Sequence, residues 1–372
     1  MAGPGVSFTP PPYPYERLDG IKKIADQHEG GAIDCSIGTP VDPPAQLVLD
    51  ELARSVGARG YPSSAGSPEY RSACAGWVER RFDVALSSDQ VAACVGTKEF
   101  VGTVAGYLHL RRPERDTVLY PEISYPTYAM GATLAGLRAV GVAVVDGRLD
   151  LLSISPDDRA RALVLWSNSP SNPTGRLDDL DAIASWGRTH DVLVASDECY
   201  AEFTWSSRPR SILEHGFDGV LAVHSISKRS NLAGVRAGFY AGDEEIVAFL
   251  RSVRQHAGFM VAGPVQAAVA AAFRDDEHVS LQRERYRRRL ELMSHALEAC
   301  DVNAAMPEGA FYLWCSKEGL DGWQLAQWIA ERSALVVSPG ELYGESGADF
   351  VRLAVVQPDE RLALAASRLQ VG

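Results

Sequence analysis

Residues 161–200 read RALVLWSNSPSNPTGRLDDLDAIASWGRTHDVLVASDECY, and within them two apolar runs flank one helical pattern. The runs RALVLWS and VLVASD have the length and aliphatic content of buried strands. Residues 177–190, between the two runs, have the spacing of an amphipathic helix. Two strands that flank a helix in this way are typical of a parallel sheet whose faces are covered by helices.

The same alternation continues on both sides of this stretch. Further strands are predicted at QVAACVG, DTVLY, GVLAVHS and AGFYAG, and further helices at residues 98–111 and 127–136. The pattern predicts an α/β domain with a mostly parallel sheet covered by helices.

After about residue 263 the pattern changes. A long charged helix (275–300) precedes the strand AFYLWCS, a helix (323–332), the strands LVVS and FVRLAVV, and a helix from Pro358. This order predicts a second, smaller α+β domain. The predicted boundaries are 1–43 for an N-terminal arm and part of the small domain, 44–265 for the large domain, and 266–372 for the C-terminal small domain.

Composition excludes several classes of function. The net charge of −12 leaves no basic excess with which to bind nucleic acid or an anionic membrane. The six cysteines form no CxxC pair and the eight histidines show no metal-binding spacing, so no metal site is predicted. No signal peptide or long apolar span is recognisable. We therefore expect a soluble, cytoplasmic protein without nucleic-acid or membrane partners.

Polar segments follow the predicted strands, and ligands of open α/β sheets bind at the carboxyl ends of strands. Taken singly, each segment has an ordinary explanation. Asp197 could form a turn or pair with a cationic heteroatom, and Asn172, before a proline, could form a tight turn or donate into a cleft. The amides of Thr97 and Lys98 could begin an ordinary helix or bind an anion. Tyr125 could pack in its loop or stack on a ring.

Lys228, in SISKRSNLAGVRAGF, could likewise be an exposed loop lysine. In a desolvated cleft its amine would instead form a Schiff base with a carbonyl compound. Ser225 and Arg236 could both bind a phosphate. A phosphate site, a stacking tyrosine, a carboxylate for a pyridinium and an imine-forming lysine together point to pyridoxal 5′-phosphate as the cofactor.

The order of GTKE, SYPTY, SNPTG, SDECY, SISKRSNLAGVRAGF and FVRLAVV resembles the class I/II aminotransferases of fold type I over nearly the whole chain. The resemblance implies a seven-stranded, mostly parallel sheet in the large domain. It also implies amino acids and 2-oxo acids as substrates, and a homodimer with shared active sites.

The resemblance assigns roles to individual residues. Lys228 would form the imine with the cofactor and move the proton, and Asp197 would pair with the pyridine nitrogen. Tyr200 and Asn172 would bind the 3′-oxygen, and Tyr125 would stack on the ring. The residues implied for the phosphate are Thr97, Lys98, Ser225 and Arg236.

Three further residues are implied by the same resemblance. Arg352 would bind the substrate α-carboxylate, and the backbone of Gly38 would line the substrate site. Tyr61 would reach the phosphate of the neighbouring subunit. Glu99 stays open, either as a substrate-facing group or as a carboxylate of the first helical turn.

Within the family, IDCSIGTPVDPP, GTKEF and RQHAGFMVAGPVQAA resemble the actinobacterial N-succinyldiaminopimelate aminotransferases of lysine and diaminopimelate biosynthesis. These enzymes exchange an amino group between L-glutamate and N-succinyl-2-amino-6-oxopimelate. The alternatives are an alanine, aspartate or aromatic aminotransferase, or a C–S lyase that uses the same cofactor. The sequence shows no second arginine that would be expected to bind the distal carboxylate of a dicarboxylic substrate.

Overall fold

The computed structural model describes residues 8–11, 14–57 and 59–371. Its strands are β1 (Ile33–Asp34), β2 (Val91–Cys94), β3 (Thr117–Pro121), β4 (Arg138–Val142), β5 (Val144–Val145), β6 (Arg148–Leu149), β7 (Ala162–Asn168), β8 (Leu193–Asp197), β9 (Val220–Ser225), β10 (Gly238–Gly242), β11 (Tyr312–Ser316), β12 (Leu335–Val336), β13 (Ser338–Pro339) and β14 (Phe350–Ala354). Its α-helices are α1 (Asp19–Ala25), α2 (Gln46–Arg54), α3 (Pro68–Phe82), α4 (Thr97–Arg111), α5 (Thr127–Leu134), α6 (Pro156–Arg161), α7 (Leu180–His190), α8 (Ile226–Arg229), α9 (Glu244–His256), α10 (Gly263–Arg274), α11 (Glu277–Glu298), α12 (Gly322–Ser333) and α13 (Asp359–Val371).

The main sheet has seven strands in the order β2-β10-β9-β8-β7-β3-β4. β10 is antiparallel to both of its neighbours, and the other pairs are parallel. The mostly parallel seven-stranded sheet confirms the predicted fold class. In the register of this sheet Asn168, the last residue of β7, lies beside Asp197, the last residue of β8.

Helices cover both faces of the sheet, and side chains of its central strands enter two different hydrophobic clusters. On β7, Val164 and Trp166 belong to the cluster that contains residues of α4, α5 and α9. Leu165, between them, belongs to the cluster that contains residues of α3, α7 and α10. Burial on both faces explains why the central strands read as continuous apolar runs.

A third hydrophobic cluster joins the N-terminal segment to the C-terminal third of the chain. It contains Leu18 and Ile33 together with buried residues of α11, α12, α13 and β14. β1 pairs with β12 in parallel, with Ile33 opposite Leu335. β11, β14 and β13 form an antiparallel sheet in the same cluster. The domain boundaries drawn from the sequence stay a prediction.

The structure differs from the sequence prediction in three details. β4, the seventh strand, lies at the sheet edge and was not located, because Arg138, Ala139 and Gly141 are exposed and form no apolar run. The predicted strand LVVS is two short strands, β12 and β13, in different sheets. α5 ends at Leu134. Within the described residues, no helix combines the length and the apolar character needed to span a bilayer.

The close packing of α4 and α5 depends on Gly131. A Cβ at this position would lie 2.6 Å from the carbonyl oxygen of Val101 on α4. We expect Gly131→Ala to lower the free energy of unfolding by about 1–3 kcal/mol, because the two helices must separate. Gly102→Ala on α4 is the matched control. Its Cβ would meet only Thr127 Cγ2, at 3.9 Å.

We expect the control to leave stability unchanged or to raise it by up to about 1 kcal/mol, because alanine favours a helix more than glycine does. Urea unfolding followed by circular dichroism measures both variants. Equal destabilisation by the two substitutions would contradict the close approach at Gly131.

Candidate active site

One cavity of about 330 Å³ opens at the carboxyl ends of β7, β8 and β9, and the last residue of each strand lines it. Every predicted site residue except Tyr61 also lines this cavity: Gly38, Thr97, Lys98, Tyr125, Asn172, Asp197, Tyr200, Ser225, Lys228, Arg236 and Arg352. The cavity has the size of a small-molecule site. The residues come from distant parts of the chain, so the fold brings together what the sequence separates.

Asp197 is buried at the base of this cavity. Its carboxylate accepts hydrogen bonds from the Tyr128 hydroxyl (2.9 Å) and from the backbone N–H of Cys199 (3.2 Å). Burial raises the pKa of Asp197, and the hydrogen bonds from Cys199 and Tyr128 offset only part of this rise. A cationic group in the cavity would therefore be stabilised beside this carboxylate. The hydrogen bond from Cys199 also shows that Asp197 forms a turn after β8, which was the other interpretation of this residue from the sequence.

Asn168 holds the neighbouring loop in place, a role that sequence reasoning missed. Its Nδ2 donates to the carbonyl oxygen of Asp197 (2.8 Å), and its Oδ1 accepts from the backbone N–H of Asn172 (2.7 Å). Its position as the last residue of a buried strand was the available signal.

Arg352 and Asn172 form the opposite wall of the cavity. Arg352 Nη1 donates to Asn172 Oδ1, and Nη2 donates to the carbonyl oxygen of Ser36, both at 2.6 Å. The guanidinium is only 2% exposed, and among the described residues it forms no ion pair with a carboxylate. A buried cation without an anionic partner favours a carboxylate ligand. The Nδ2 of Asn172 remains to donate into the cavity.

Lys228 lies on α8, a single helical turn at the edge of the cavity. Its Nζ donates to the carbonyl oxygen of Gly38. Burial, and after it the positive charge of Arg352, lowers the pKa of Lys228 to about 8. A substantial fraction of the amine is therefore neutral and nucleophilic near neutral pH. A Cβ at Gly38 would overlap the hydroxyl of Tyr312, which explains the glycine.

The other end of the cavity is suited to an anion. α4 begins at Thr97, and the residue before it, Gly96 (φ 76°), gives no side-chain cap, so the helix N-terminus faces the cavity uncapped. A Cβ at Gly96 would overlap Nη2 of Arg236, so the glycine allows this arginine to approach. An uncapped N-terminus beside a guanidinium is a favourable phosphate site.

Two serines complete this end. Ser225 Oγ donates to Ser227 Oγ (2.9 Å) and accepts from the backbone N–H of Ser227 (3.0 Å). Ser227, which was not selected from the sequence, also lines the cavity. The spacing of the two serines in SISK allows their hydroxyls to be neighbours, but it does not indicate that Ser227 also lines the site.

Sequence reasoning also missed three tyrosines that line the cavity, namely Tyr15, Tyr128 and Tyr312. Tyr312 reaches the site from β11, and its hydroxyl lies 2.6 Å from that of Tyr200. Tyr125, which was selected, lies edge-to-face with Tyr128, and the two ring centroids are 6.1 Å apart.

Two candidate residues lie outside the cavity. Glu99 binds both terminal nitrogens of Arg254 (2.8 and 2.7 Å) and accepts from the backbone N–H of Val95, which fits the first-turn interpretation. Tyr61 is 98% exposed, and its role towards a neighbouring subunit stays a prediction.

The model of the aminotransferase class I and II family matches residues 33–369. The chain belongs to this family. Family members are pyridoxal 5′-phosphate enzymes, and the cofactor prediction is confirmed. The residues present fit this group. The anion end suits a phosphate, Asp197 suits a protonated ring nitrogen, and Lys228 presents a nucleophilic amine in the same cavity.

Similar proteins include the Mycobacterium tuberculosis protein named "Probable aminotransferase Rv1178", 42% identical over 98% of this chain and 86% of that protein. The 4-dedimethylamino-4-oxo-anhydrotetracycline transaminase OxyQ of Streptomyces rimosus is 40% identical over 96% and 99%. The LL-diaminopimelate aminotransferase of Aquifex aeolicus is 32% identical over 97% and 96%. Among solved structures, an aminotransferase from Neisseria meningitidis superposes with a TM-score of 0.89 at 28% identity over 97% of this chain and 96% of that one.

The pKa of Lys228 leads to a prediction about the cofactor-free protein. Only the neutral amine attacks a carbonyl, so the rate at which the protein combines with pyridoxal phosphate should rise with pH, with a midpoint near pH 8. Stopped-flow absorbance between pH 6 and 10 measures this rate. Arg352→Gln removes a nearby positive charge and should move the midpoint to higher pH. A wild-type midpoint near the ordinary lysine value of 10.5 would contradict the desolvated environment.

Arg229, directly after the lysine, is fully buried behind the cavity. It donates to Glu202 (3.2 Å), to the carbonyl oxygen of Ala272 (2.6 Å) and to Asp276 (3.1 Å). Its guanidinium lies 5.5 Å from the centroid of the Trp77 ring. These contacts fix α8 from behind.

We expect Arg229→Met to lower the free energy of unfolding by about 1–3 kcal/mol, because Glu202 loses one of its two cationic partners and the carbonyl oxygen of Ala272 loses its donor. The double variant Arg229→Met/Glu202→Gln should recover part of this loss, since it removes the charge of a buried carboxylate that keeps only Arg81 (2.7 Å) as a cationic partner in the single variant. Chemical denaturation of the two variants measures the difference. No recovery in the double variant would show that the ion pair is not what matters at Arg229.

Proposed function

We propose that the protein is a pyridoxal-phosphate-dependent transaminase that exchanges an amino group between L-glutamate and N-succinyl-2-amino-6-oxopimelate. The observation that carries the transaminase part is the position of Lys228, a desolvated amine between an anion site and the buried guanidinium of Arg352. Such a site can bind a phosphorylated cofactor and an amino acid at the same time.

In this proposal the chain holds the cofactor at four points. The amides of Thr97 and Lys98, with Ser225 and Arg236, bind the phosphate. Asp197 holds the ring nitrogen in its protonated form. The hydroxyl of Tyr200 and the Nδ2 of Asn172 donate to the ring oxygen, and Tyr125 stacks on the ring.

When bound, pyridoxal phosphate supplies an electron sink for the bonds at the substrate α-carbon. Lys228 would hold this group through its amine, and the same amine, when free and neutral, would take the α-proton of an amino-acid substrate. The low pKa of this amine suits it to accept and return a proton near neutral pH. Arg352 orients the substrate by binding its α-carboxylate, and the carbonyl oxygen of Gly38 keeps the lysine in place.

The acceptor is proposed from similarity to other proteins. The phrases IDCSIGTPVDPP and RQHAGFMVAGPVQAA resemble the succinyldiaminopimelate enzymes, and similar proteins include LL-diaminopimelate aminotransferases. Diaminopimelate is the proposed product without its N-succinyl group. We also propose a homodimer in which the exposed Tyr61 reaches the phosphate of the neighbouring subunit.

A second candidate acceptor is a ring ketone, as the name of the Streptomyces rimosus relative describes for that protein. One observation favours it. Apart from Arg236 at the anion end, Arg352 is the one arginine of the described chain that lines the cavity. A distal carboxylate thus has no arginine within the cavity of one chain, whereas a neutral polycyclic ketone needs none. Tyr15 and Ile37, which also line the cavity, suit an apolar surface.

The test uses the purified protein with pyridoxal phosphate and L-glutamate as donor. We expect a yellow protein whose visible band disappears with glutamate and returns with N-succinyl-2-amino-6-oxopimelate, at a rate at least about tenfold above that with pyruvate or oxaloacetate. Lys228→Ala is the control, and it should abolish both the yellow band and turnover.

The panel also separates the alternatives. Recovery of the band with pyruvate or oxaloacetate but not with the succinylated acid would remove the diaminopimelate assignment and keep the transaminase. Recovery only with 4-dedimethylamino-4-oxo-anhydrotetracycline would favour the second candidate. A protein that stays colourless with added pyridoxal phosphate would contradict the whole proposal.

A further inference from the structure

Tyr312 makes contacts with both polar walls of the cavity, although neither the sequence motifs nor the roles proposed above include it. It lies on β11 and is 1% exposed. Its hydroxyl is 2.6 Å from the hydroxyl of Tyr200, and the ring centroids are 5.3 Å apart at 67°. A second phenol is therefore in direct contact with the tyrosine proposed to bind the cofactor.

The same side chain contacts the substrate end of the cavity. Its ring centroid lies 4.2 Å from the guanidinium carbon of Arg352, which stacks on it. The two residues reach each other across neighbouring strands, because Arg352 on β14 is paired with Trp314, two residues after Tyr312.

The hydroxyl of Tyr312 has a third neighbour in Gly38. A Cβ at position 38 would overlap this hydroxyl, and the carbonyl oxygen of the same glycine accepts from Lys228. Tyr312 thus contacts Tyr200 and Arg352 directly, and it also packs against Gly38, whose carbonyl oxygen accepts from Lys228.

Either phenol can donate the hydrogen bond that joins the two hydroxyls, and the role proposed for Tyr200 decides which one does. Burial raises the pKa of Tyr200 and raises that of Tyr312 to about 12, so both phenols keep their protons at neutral pH. Only one of the two protons lies between the oxygens. If Tyr200 is to donate into the cavity, its oxygen must accept from Tyr312.

We propose that Tyr312 is a positioning residue that donates to Tyr200, which directs the Tyr200 proton into the cavity and strengthens it as a donor, while its ring orients Arg352. A phenol that accepts one hydrogen bond is polarised and donates a stronger one. The inference rests on the proposed function, because it requires Tyr200 to bind the ring oxygen of the cofactor.

The test is the pH dependence of the visible absorption of the holoenzyme. A donor to the ring oxygen stabilises its negative charge and lowers the pKa of the lysine-linked chromophore. Tyr312→Phe keeps the ring and removes the hydroxyl, so we expect this pKa to rise by about 0.5–1 unit. Thermal unfolding checks that the variant is folded.

Tyr343→Phe is the matched control. Tyr343 also stacks on Arg352, with its ring 4.8 Å from the guanidinium carbon, but its hydroxyl lies 3.1 Å from that of Tyr15 and does not contact Tyr200. We expect the spectral pKa of this variant to equal that of the wild type. A rise as large as that of Tyr312→Phe would overturn the proposed route through Tyr200.

A double-variant comparison tests the route directly. If Tyr312 acts through Tyr200, then Tyr312→Phe produces no further rise in a Tyr200→Phe background. Additive rises, or no rise with Tyr312→Phe alone, would overturn the inference while leaving the visible band and the proposed function intact. A wild-type protein without a visible band would instead defeat the proposed function, and the inference with it.

Discussion

The side-chain amide of Asn168 determines how the two polar loops of the cavity meet. It donates to the backbone of Asp197 at the end of β8 and accepts from the backbone of Asn172 in its own loop. Asn172 in turn accepts from Arg352, which lies on the separate sheet of the C-terminal third. Because buried polar groups must be paired, this chain of hydrogen bonds leaves few other arrangements for the loops. These bonds link the ends of β7 and β8 to the C-terminal sheet.

The electrostatics of the cavity serve binding and reactivity together. Lys228, Arg236 and Arg352 line it with the N-terminus of α4, in a protein whose net charge is −12. This local excess of positive charge favours ligands that carry a phosphate and a carboxylate. The same burial and the same arginine lower the pKa of Lys228. The raised pKa of Asp197 is complementary, since that carboxylate becomes fully stabilised only when a cation binds beside it.

The sequence predicts the parts of this site that depend on local pattern. Asp197, Asn172 and Lys228 were predictable because buried apolar runs mark strands, and polar residues after such strands meet at one edge of a parallel sheet. Tyr312 could not be found in this way, because its strand belongs to another sheet and only tertiary packing brings it to Tyr200. The sequence pattern does not predict β4, because this exposed edge strand has no apolar run. Arg352 was assigned by resemblance alone, since an arginine on a strand carries no sign of its partner.

Helix α8 alone cannot fix the position of Lys228. α8 is one turn long, and a single turn is not stable by itself, so contacts on its other side must hold it. Arg229 supplies them through Glu202, Ala272 and Asp276. Glu202 follows the segment that carries Asp197 and Tyr200, and so the buried ion pair links the two segments that would hold the cofactor. The two adjacent residues thus have different roles. Lys228 lines the cavity and has a lowered pKa, and Arg229 holds the short helix α8 in position through its buried contacts.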